Sequence, residues 1–303
     1  MASDMIAPLH DRGVVSVTGT DAGKLLQGLI TNDMDALSRD GAAIHAGLLS
    51  PQGKILFEFF VVRTADGFLI ELAKDKAADF VKRLTMYRLR ADVALHDVSA
   101  NYKVYALWGA TAASSGETRA TVSFADPRIP ALGRRILADA ALATDVASAT
   151  NDTDASEAAY DAHRIALGVP EGGKDYDFGD AYPHEADFDL FNGVSFKKGC
   201  YVGQEVVSRM QNKTVVRKRI VKVSGAAALT KHADILLGEA AIGRVGSVDG
   251  VNGLAMLRLD RAVEAREKGL SLTANGVAIS PDEAALETYR ASAAARPATP
   301  GLV

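Results

Sequence analysis

One cysteine, Cys200, stands in 303 residues. An internal disulfide is thereby excluded, and so is a four-thiolate cluster or zinc site built from a single copy of the chain. Any metal would have to be shared or transient. The sequence also lacks HExxH, CxxC and GxGxxG, which removes the common zinc-hydrolase, thiol-redox and dinucleotide signatures. Its nearest imitation of a phosphate loop is Gly47-Leu-Leu-Ser-Pro-Gln-Gly53-Lys54. There the glycine spacing is one residue too long, and Ile55 stands where a magnesium-binding hydroxyl belongs. No apolar run approaches the ~18 residues that span a bilayer. The opening stretch, Met1 to Asp11, carries two acids and no apolar leader core, which predicts a cytoplasmic protein with no membrane partner. A formal charge of -4 argues against general nucleic-acid binding.

What is present is an ordinary globular composition, 48% hydrophobic and 24% charged, over a length that predicts two or three folding units. The first segment reads as strand, helix, strand. Gly13 to Val17 is extended, Thr20 or Asp21 caps a helix with Leu25, Leu26, Leu29 and Ile30 on one face, and Ala43 to Leu49 is extended again. A hairpin from Ile55 to Leu72 turns at Asp66-Gly67. A helix beginning at Asp75 places Phe80, Val81, Leu84 and Tyr87 at helical spacing, with strands Ala91 to His96 and Lys103 to Trp108 after it. Ala138 to Ser156 is rich in Ala, Thr, Asp and Ser and predicts an exposed connection; Glu157 to Leu167 is a helix stopped by Gly168 and Pro170. From Val216 on, short strands with glycine turns predict a small barrel, and the tail from Ala291 has too little apolar bulk to fold.

Residues 182 to 205 concentrate the only thiol, cations, glycines and paired polar groups. Lys197 and Lys198 precede Cys200, and nearby positive charge raises the thiolate fraction that acts as nucleophile or soft ligand. A small buried hydrophobe is the competing reading of Cys200, and a solvated pair that of the two lysines. Gly199 and Gly203 either shape a turn or let backbone N-H groups approach a ligand.

Lys198-Gly199-Cys200-Tyr201-Val202-Gly203-Gln204-Glu205 resembles the Lys-Gly-Cys-Tyr-x-Gly-Gln-Glu signature of YgfZ-type folate-binding proteins, which are related to the glycine-cleavage T protein and to a mitochondrial iron-sulfur assembly factor. Asp21 to Asp33, Leu49 to Lys54, Tyr87 to Arg90 and Pro183-His184-Glu185 extend the resemblance along the chain. It implies an α+β fold of the GcvT/YgfZ type: two ferredoxin-like units, the first interrupted by the second, then a C-terminal β-barrel. The corresponding ranges are 1-48 with 150-215, 49-149, 216-288, and a flexible tail at 289-303. It further implies tetrahydrofolate in a cavity between domains. Glu185 would hold the pterin, with Lys198, Tyr201, Gln204 and Arg217 as further folate contacts and Cys200 as the essential thiol. Chemistry agrees for Glu185, because the pterin edge offers two adjacent N-H donors and a carboxylate accepts both.

Two functions then compete. One is a folate-dependent accessory factor whose partners are iron-sulfur proteins or cluster-assembly factors. The other is an aminomethyltransferase passing a one-carbon unit from a lipoylated carrier to tetrahydrofolate. Against the transferase, the T protein's Gly-Gly-x-x-Asp-Asp pattern is absent after Gly53, and Leu72-Ala73 replaces its Asn-Ala. A binding scaffold without chemistry is a third class, and shared fold decides among none of them.

Overall fold

A computed structural model describes residues 4-109, 121-141, 153-213 and 215-295. The content is α+β, as expected, and the chain divides into two compact units. The first comprises Met1–His163, Phe178–Pro183 and Phe188–Gln204. The second comprises Arg164–Asp177, His184–Asp187 and Glu205–Val303.

The first unit holds two five-stranded sheets. Strands β1 (Met5–Pro8), β2 (Arg12–Thr18), β3 (Ala43–Leu49), β4 (Ile55–Thr64), β5 (Gly67–Ala73) and β6 (Ala94–Asp97) are followed by β7 (Tyr102–Trp108), β8 (Thr121–Ala125), β9 (Arg134–Asp139) and β10 (Thr153–Asp154). One sheet runs β3-β4-β5-β2-β6, the other β10-β1-β7-β9-β8. The chain thus leaves the second sheet after β1, builds the whole first sheet between Arg12 and Asp97, and returns at Tyr102. This corrects the boundary expected between residues 48 and 49, because β3 pairs with β4 across it, Ala43 opposite Val62 through Leu49 opposite Ile55. The reason is local: a turn with Ser50 N to Lys54 O at 2.8 Å and Gly53 at φ +81° closes that hairpin, and short closures are entropically cheaper than distant ones. Gly13 to Val17 likewise joins the inserted sheet, paired with β5.

Helix α1 (Ala22–Gln27) and helix α2 (Ala77–Arg88) cover the first sheet. Phe80 and Leu84, one turn apart, are fully buried, and Phe80 meets Phe57 and Phe59 with ring centroids 5.3 and 5.0 Å away. Leu89 ends α2 at φ 49°, ψ -108°, and its side chain is 86% exposed. For a side-chain-bearing residue that backbone region costs ~1-3 kcal/mol.

Charge, not oil, fills part of the space where the sheets of this unit meet. Arg12 Nε donates to Glu71 Oε1 at 2.8 Å, and Arg128 grips Asp126 with Nε and Nη2 at 3.0 and 2.7 Å. Burial pushes the Asp126 carboxyl up, but Arg128 and Arg135 beside it win and leave it below the ordinary carboxylate range. Arg135, 1% exposed, donates Nη2 to the Tyr160 hydroxyl at 2.8 Å and lies over the rings of Tyr160 and Phe60. Its Nε reaches Glu71 Oε2 only at 4.0 Å. Helix α3 (Glu157–Leu167) supplies Tyr160.

In the second unit, β11 (Lys218–Gly225), β12 (Asp234–Leu237), β13 (Ala240–Asp249), β14 (Asn252–Arg258), β15 (Leu272–Ala274) and β16 (Val277–Pro281) close a barrel in the order β11-β14-β13-β12-β15-β16. Arg164, also fully buried, donates to Asp175 and to the Ser247 hydroxyl, both at 2.6 Å, and Asp175 accepts from Ser247 N at 2.8 Å. That clamp ties the 169-177 loop to β13. Gly246 must be glycine there, since a Cβ would fall 2.7 Å from the Asp175 carboxylate. Helix α4 (Gln204–Lys213) precedes the barrel; α5 (Leu259–Glu267) and α6 (Glu283–Ala295) pack with it, Leu286 buried. The tail expected at 289-303 is therefore helical through Ala295, because Leu286 and Tyr289 supply the apolar contacts. Residues 296-303, and 142-152 of the expected connection, lie outside the described residues.

Removing Glu71 takes the bonded carboxylate from the buried Arg12 guanidinium and a second, more distant one from Arg135, which keeps Asp126 at 3.7 Å. Glu71→Ala is expected to lower unfolding free energy by about 3-5 kcal/mol in urea titration. A loss under ~1 kcal/mol would show that Arg12 and Arg135 do not depend on it.

Candidate functional site

The 182 to 205 segment is held to the first unit by polar side chains that the sequence does not advertise. The Thr31 hydroxyl donates to Gly193 O at 2.6 Å and accepts from Gly47 N at 2.7 Å. Asn32 Nδ2 donates to His45 O at 2.8 Å and to Asn192 O at 2.6 Å. Lys54, in the β3-β4 turn, donates to Asp180 O and lies 3.6 Å from the Tyr182 ring centroid. The only signal for these in the sequence is a run of polar residues following an apolar helical face.

Lys198 is the centre of this attachment. Its ammonium donates to Gln27 O at 2.7 Å, Ile30 O at 2.8 Å and Asn32 O at 2.8 Å, and the residue is 8% exposed. A helix end leaves carbonyls that helical amides cannot reach, and a lysine completes them with favourable charge. Burial pulls this ammonium down to about 8, while Asp33 and Asp35 pull it up, so it stays charged at neutral pH. Expected as a folate contact, Lys198 instead spends all three N-H donors inside the protein. Nearby, the Asp33 carboxyl is held below its usual range by the Asp35 amide and the Gln27 side chain, against burial and with help from Lys198.

Cys200 is exposed, as is Lys197, so the thiol is not a packing residue. Gly199 has open space where a Cβ would be, whereas Gly203, at φ +82°, would put one 2.6 Å from Ser50 O. Of the two glycines only Gly203 is required by geometry: it seats the segment on the β3-β4 turn. Tyr201 is buried at 7% exposure, its phenol is pushed up to about 12 by burial, and Lys198 Nζ sits 5.3 Å from its ring centroid. Gln204 is half-buried and opens α4, its amide bonded to Tyr201 O at 3.3 Å. An exposed thiol on a braced segment can act as a nucleophile or contribute one soft ligand; alone it cannot hold a cluster.

Glu185 and Arg217 lie in the second unit. Glu185 is half-buried, and its backbone is fixed by Ile220 N donating to its carbonyl at 3.0 Å. Arg217 is exposed, next to β11. Two residues on, Arg219 binds the His184 carbonyl and Asp187, both at 2.8 Å. Among the described residues no group of three His, Cys, Asp or Glu side chains could hold a metal ion, and no helix is long and apolar enough to cross a membrane.

Lys198→Met keeps the stem and discards the donors. It is expected to lower unfolding free energy by at least ~2 kcal/mol, since buried carbonyls are left unmet, and to expose the 195-203 segment to protease. Unchanged stability and cleavage would mean that the three carbonyls find other partners.

The GCVT N-terminal domain matches residues 8–123, and the CAF17 C-terminal beta-barrel domain matches residues 217–286. A crystal structure of glycine cleavage system aminomethyltransferase T from Bartonella henselae superposes with a TM-score of 0.72 over 94% of this chain and 86% of that one, at 17% identity. That likeness establishes the fold. Among curated proteins, the mitochondrial iron-sulfur cluster assembly factor IBA57 homolog of Mycosarcoma maydis is 37% identical across 72% of this chain and 57% of its own length. That of Neurospora crassa is 33% identical, with 52% of its length covered, so the chain spans little more than half of these two relatives. The homolog of Coccidioides immitis is 30% identical across 97% of this chain and 80% of its own length. The mitochondrial names of these relatives overturn the cytoplasmic location expected from the sequence, which rested only on missing signals. The chain belongs to the IBA57 family, built on the fold of the glycine-cleavage aminomethyltransferases.

Proposed function

We propose that this chain is a tetrahydrofolate-binding accessory protein of the YgfZ type that supports iron-sulfur cluster assembly or repair, with Cys200 as its working thiol. The observation that carries the reading is an exposed lone cysteine, on a segment braced by Lys198, in a chain whose relatives are named as iron-sulfur cluster assembly factors. One thiolate supplies one ligand, so a cluster handled here is cargo whose remaining ligands come from a partner protein. The mitochondrial names of the relatives support a mitochondrial setting.

The fit of folate is supported by Glu185. Glu185 is half-buried on an anchored backbone, and the two oxygens of a carboxylate suit the paired N-H donors of a pterin. The exposed Arg217 residue, in the same unit as Glu185, suits the glutamate tail. Lys198 and Tyr201 serve by holding the Cys200 segment. Tetrahydrofolate, when bound, supplies a carrier for one-carbon units. Aminomethyl transfer is the second reading, favoured by the fold likeness; the buried Leu72 where the T protein carries asparagine weighs against it.

A calorimetric titration with tetrahydrofolate, followed by glycine and a lipoylated carrier, tests both readings. Binding without one-carbon transfer is expected. Glu185→Gln replaces an acceptor with a donor and should weaken binding by ~1-3 kcal/mol. Equal affinity in that variant would move the pterin elsewhere, and steady one-carbon transfer would make the chain a transferase.

A further inference from the structure

A second surface of the first unit has no part in the chemistry above. A groove of about 490 Å³ runs between α2 and the start of β4. Its apolar floor is Leu56, Phe57 and Phe178, and its wall is Lys76, Lys82 and Arg83, with Asp79 the single carboxylate among them. Between Lys74 and Arg90 six cations accompany two acids, in a chain whose net charge is -4. Among the described residues no carboxylate pairs with Lys82, Arg83 or Arg90.

Apolar side chains continue past the groove into water. Met86, which also lines it, is 57% exposed, and Leu89 is 86% exposed on a backbone of positive φ, where helices commonly place glycine. The core gains nothing from either, and exposed apolar patches rimmed by polar groups mark interaction surfaces. The position is informative too. The floor strand leaves the Ser50–Lys54 turn, and a Cβ at Gly203 would lie 2.6 Å from Ser50 O and 3.1 Å from Gly53 Cα, so the Cys200 segment rests on that turn.

We infer that this groove docks an acidic segment of a partner protein, with carboxylates on Lys76, Lys82 and Arg83 and an apolar side chain on the Phe57 and Phe178 floor. Met86 and Leu89 extend the contact beyond the groove. A free polyanion would satisfy the cations and leave the apolar floor and both exposed side chains unused, which is why a protein segment fits better. Docking at this groove requires no chemistry at Cys200.

The probe is a fluorescein-labelled peptide of sequence Glu-Glu-Leu-Glu-Phe-Glu-Glu, titrated with the full chain by fluorescence polarisation. Saturable binding is expected, weakening with salt. A Lys82→Glu, Arg83→Glu double variant should lose at least about tenfold, the effect of removing two charge-assisted contacts, and should instead bind the same peptide with lysine in place of glutamate. Both positions are outside the core, and circular dichroism checks that the variant is folded. Leu89→Gly should weaken binding several-fold while raising the denaturation midpoint, because glycine relieves the positive φ. Cys200→Ser should leave peptide affinity unchanged. Equal binding to wild type and the double variant would overturn the inference. So would hexaglutamate binding as tightly as the peptide, which would make the groove a site for small anions.

Discussion

Three carbonyl groups, those of Gln27, Ile30 and Asn32, point to one place where α1 ends and the chain turns toward β3, and the Lys198 ammonium meets all three. That arrangement decides what the thiol segment can do. Lysine is the only side chain with three donors on a tetrahedral centre at the end of a long stem, so it can gather carbonyls from a loop that arginine's planar fork would reach less well. The cost of burying the charge is offset by those bonds and by Asp33 and Asp35 nearby. With Lys198 drawn in and Gly203 seated on the Ser50 turn, the residues between them are held at both ends, and Cys200 is left facing water.

The same device recurs on a larger scale. Arg12, Arg128 and Arg135 in the first unit and Arg164 in the second are buried beside carboxylates. Buried ion pairs contribute little net stability compared with well-packed apolar residues, but a broken one is expensive. Their effect here is geometric. They allow one arrangement of β5 against β9 and one path for the 169-177 loop along β13, and they penalise others. Sheets carrying such residues on their inner faces have a register that hydrophobic packing alone would leave looser.

How much of this was legible in the sequence follows from how local each signal is. The barrel, the Asp66-Gly67 hairpin and the Phe80-Leu84 helix rest on neighbouring residues and are where the spacing put them. The division of the first unit into sheets depends on β1, which carries little local signal: Met5 to Pro8 is four residues, and its partners, Tyr105 to Trp108, lie about a hundred residues away. Phe57 to Val62 reads as a plain apolar strand, and only the structure shows that Glu58 within it meets His45 at 2.9 Å. At the site, the motif singles out Cys200, and the structure shows that side chain exposed. The motif could not tell that adjacent lysines have opposite fates, Lys197 in solvent and Lys198 inside, because that depends on carbonyls contributed from Gln27 to Asn32.

The thiol of Cys200 is expected to do work that the fold does not need. The direct measurement is the activity of an iron-sulfur enzyme in cells lacking their own copy of this protein, supplied with either the wild-type chain or Cys200→Ser. Thermal midpoint and tetrahydrofolate affinity are recorded on both purified proteins. An exposed side chain predicts that serine leaves the midpoint and the affinity unchanged. Loss of soft-ligand character predicts that the enzyme activity nonetheless stays at the level of cells with no copy. Full recovery of enzyme activity with Cys200→Ser would contradict the account.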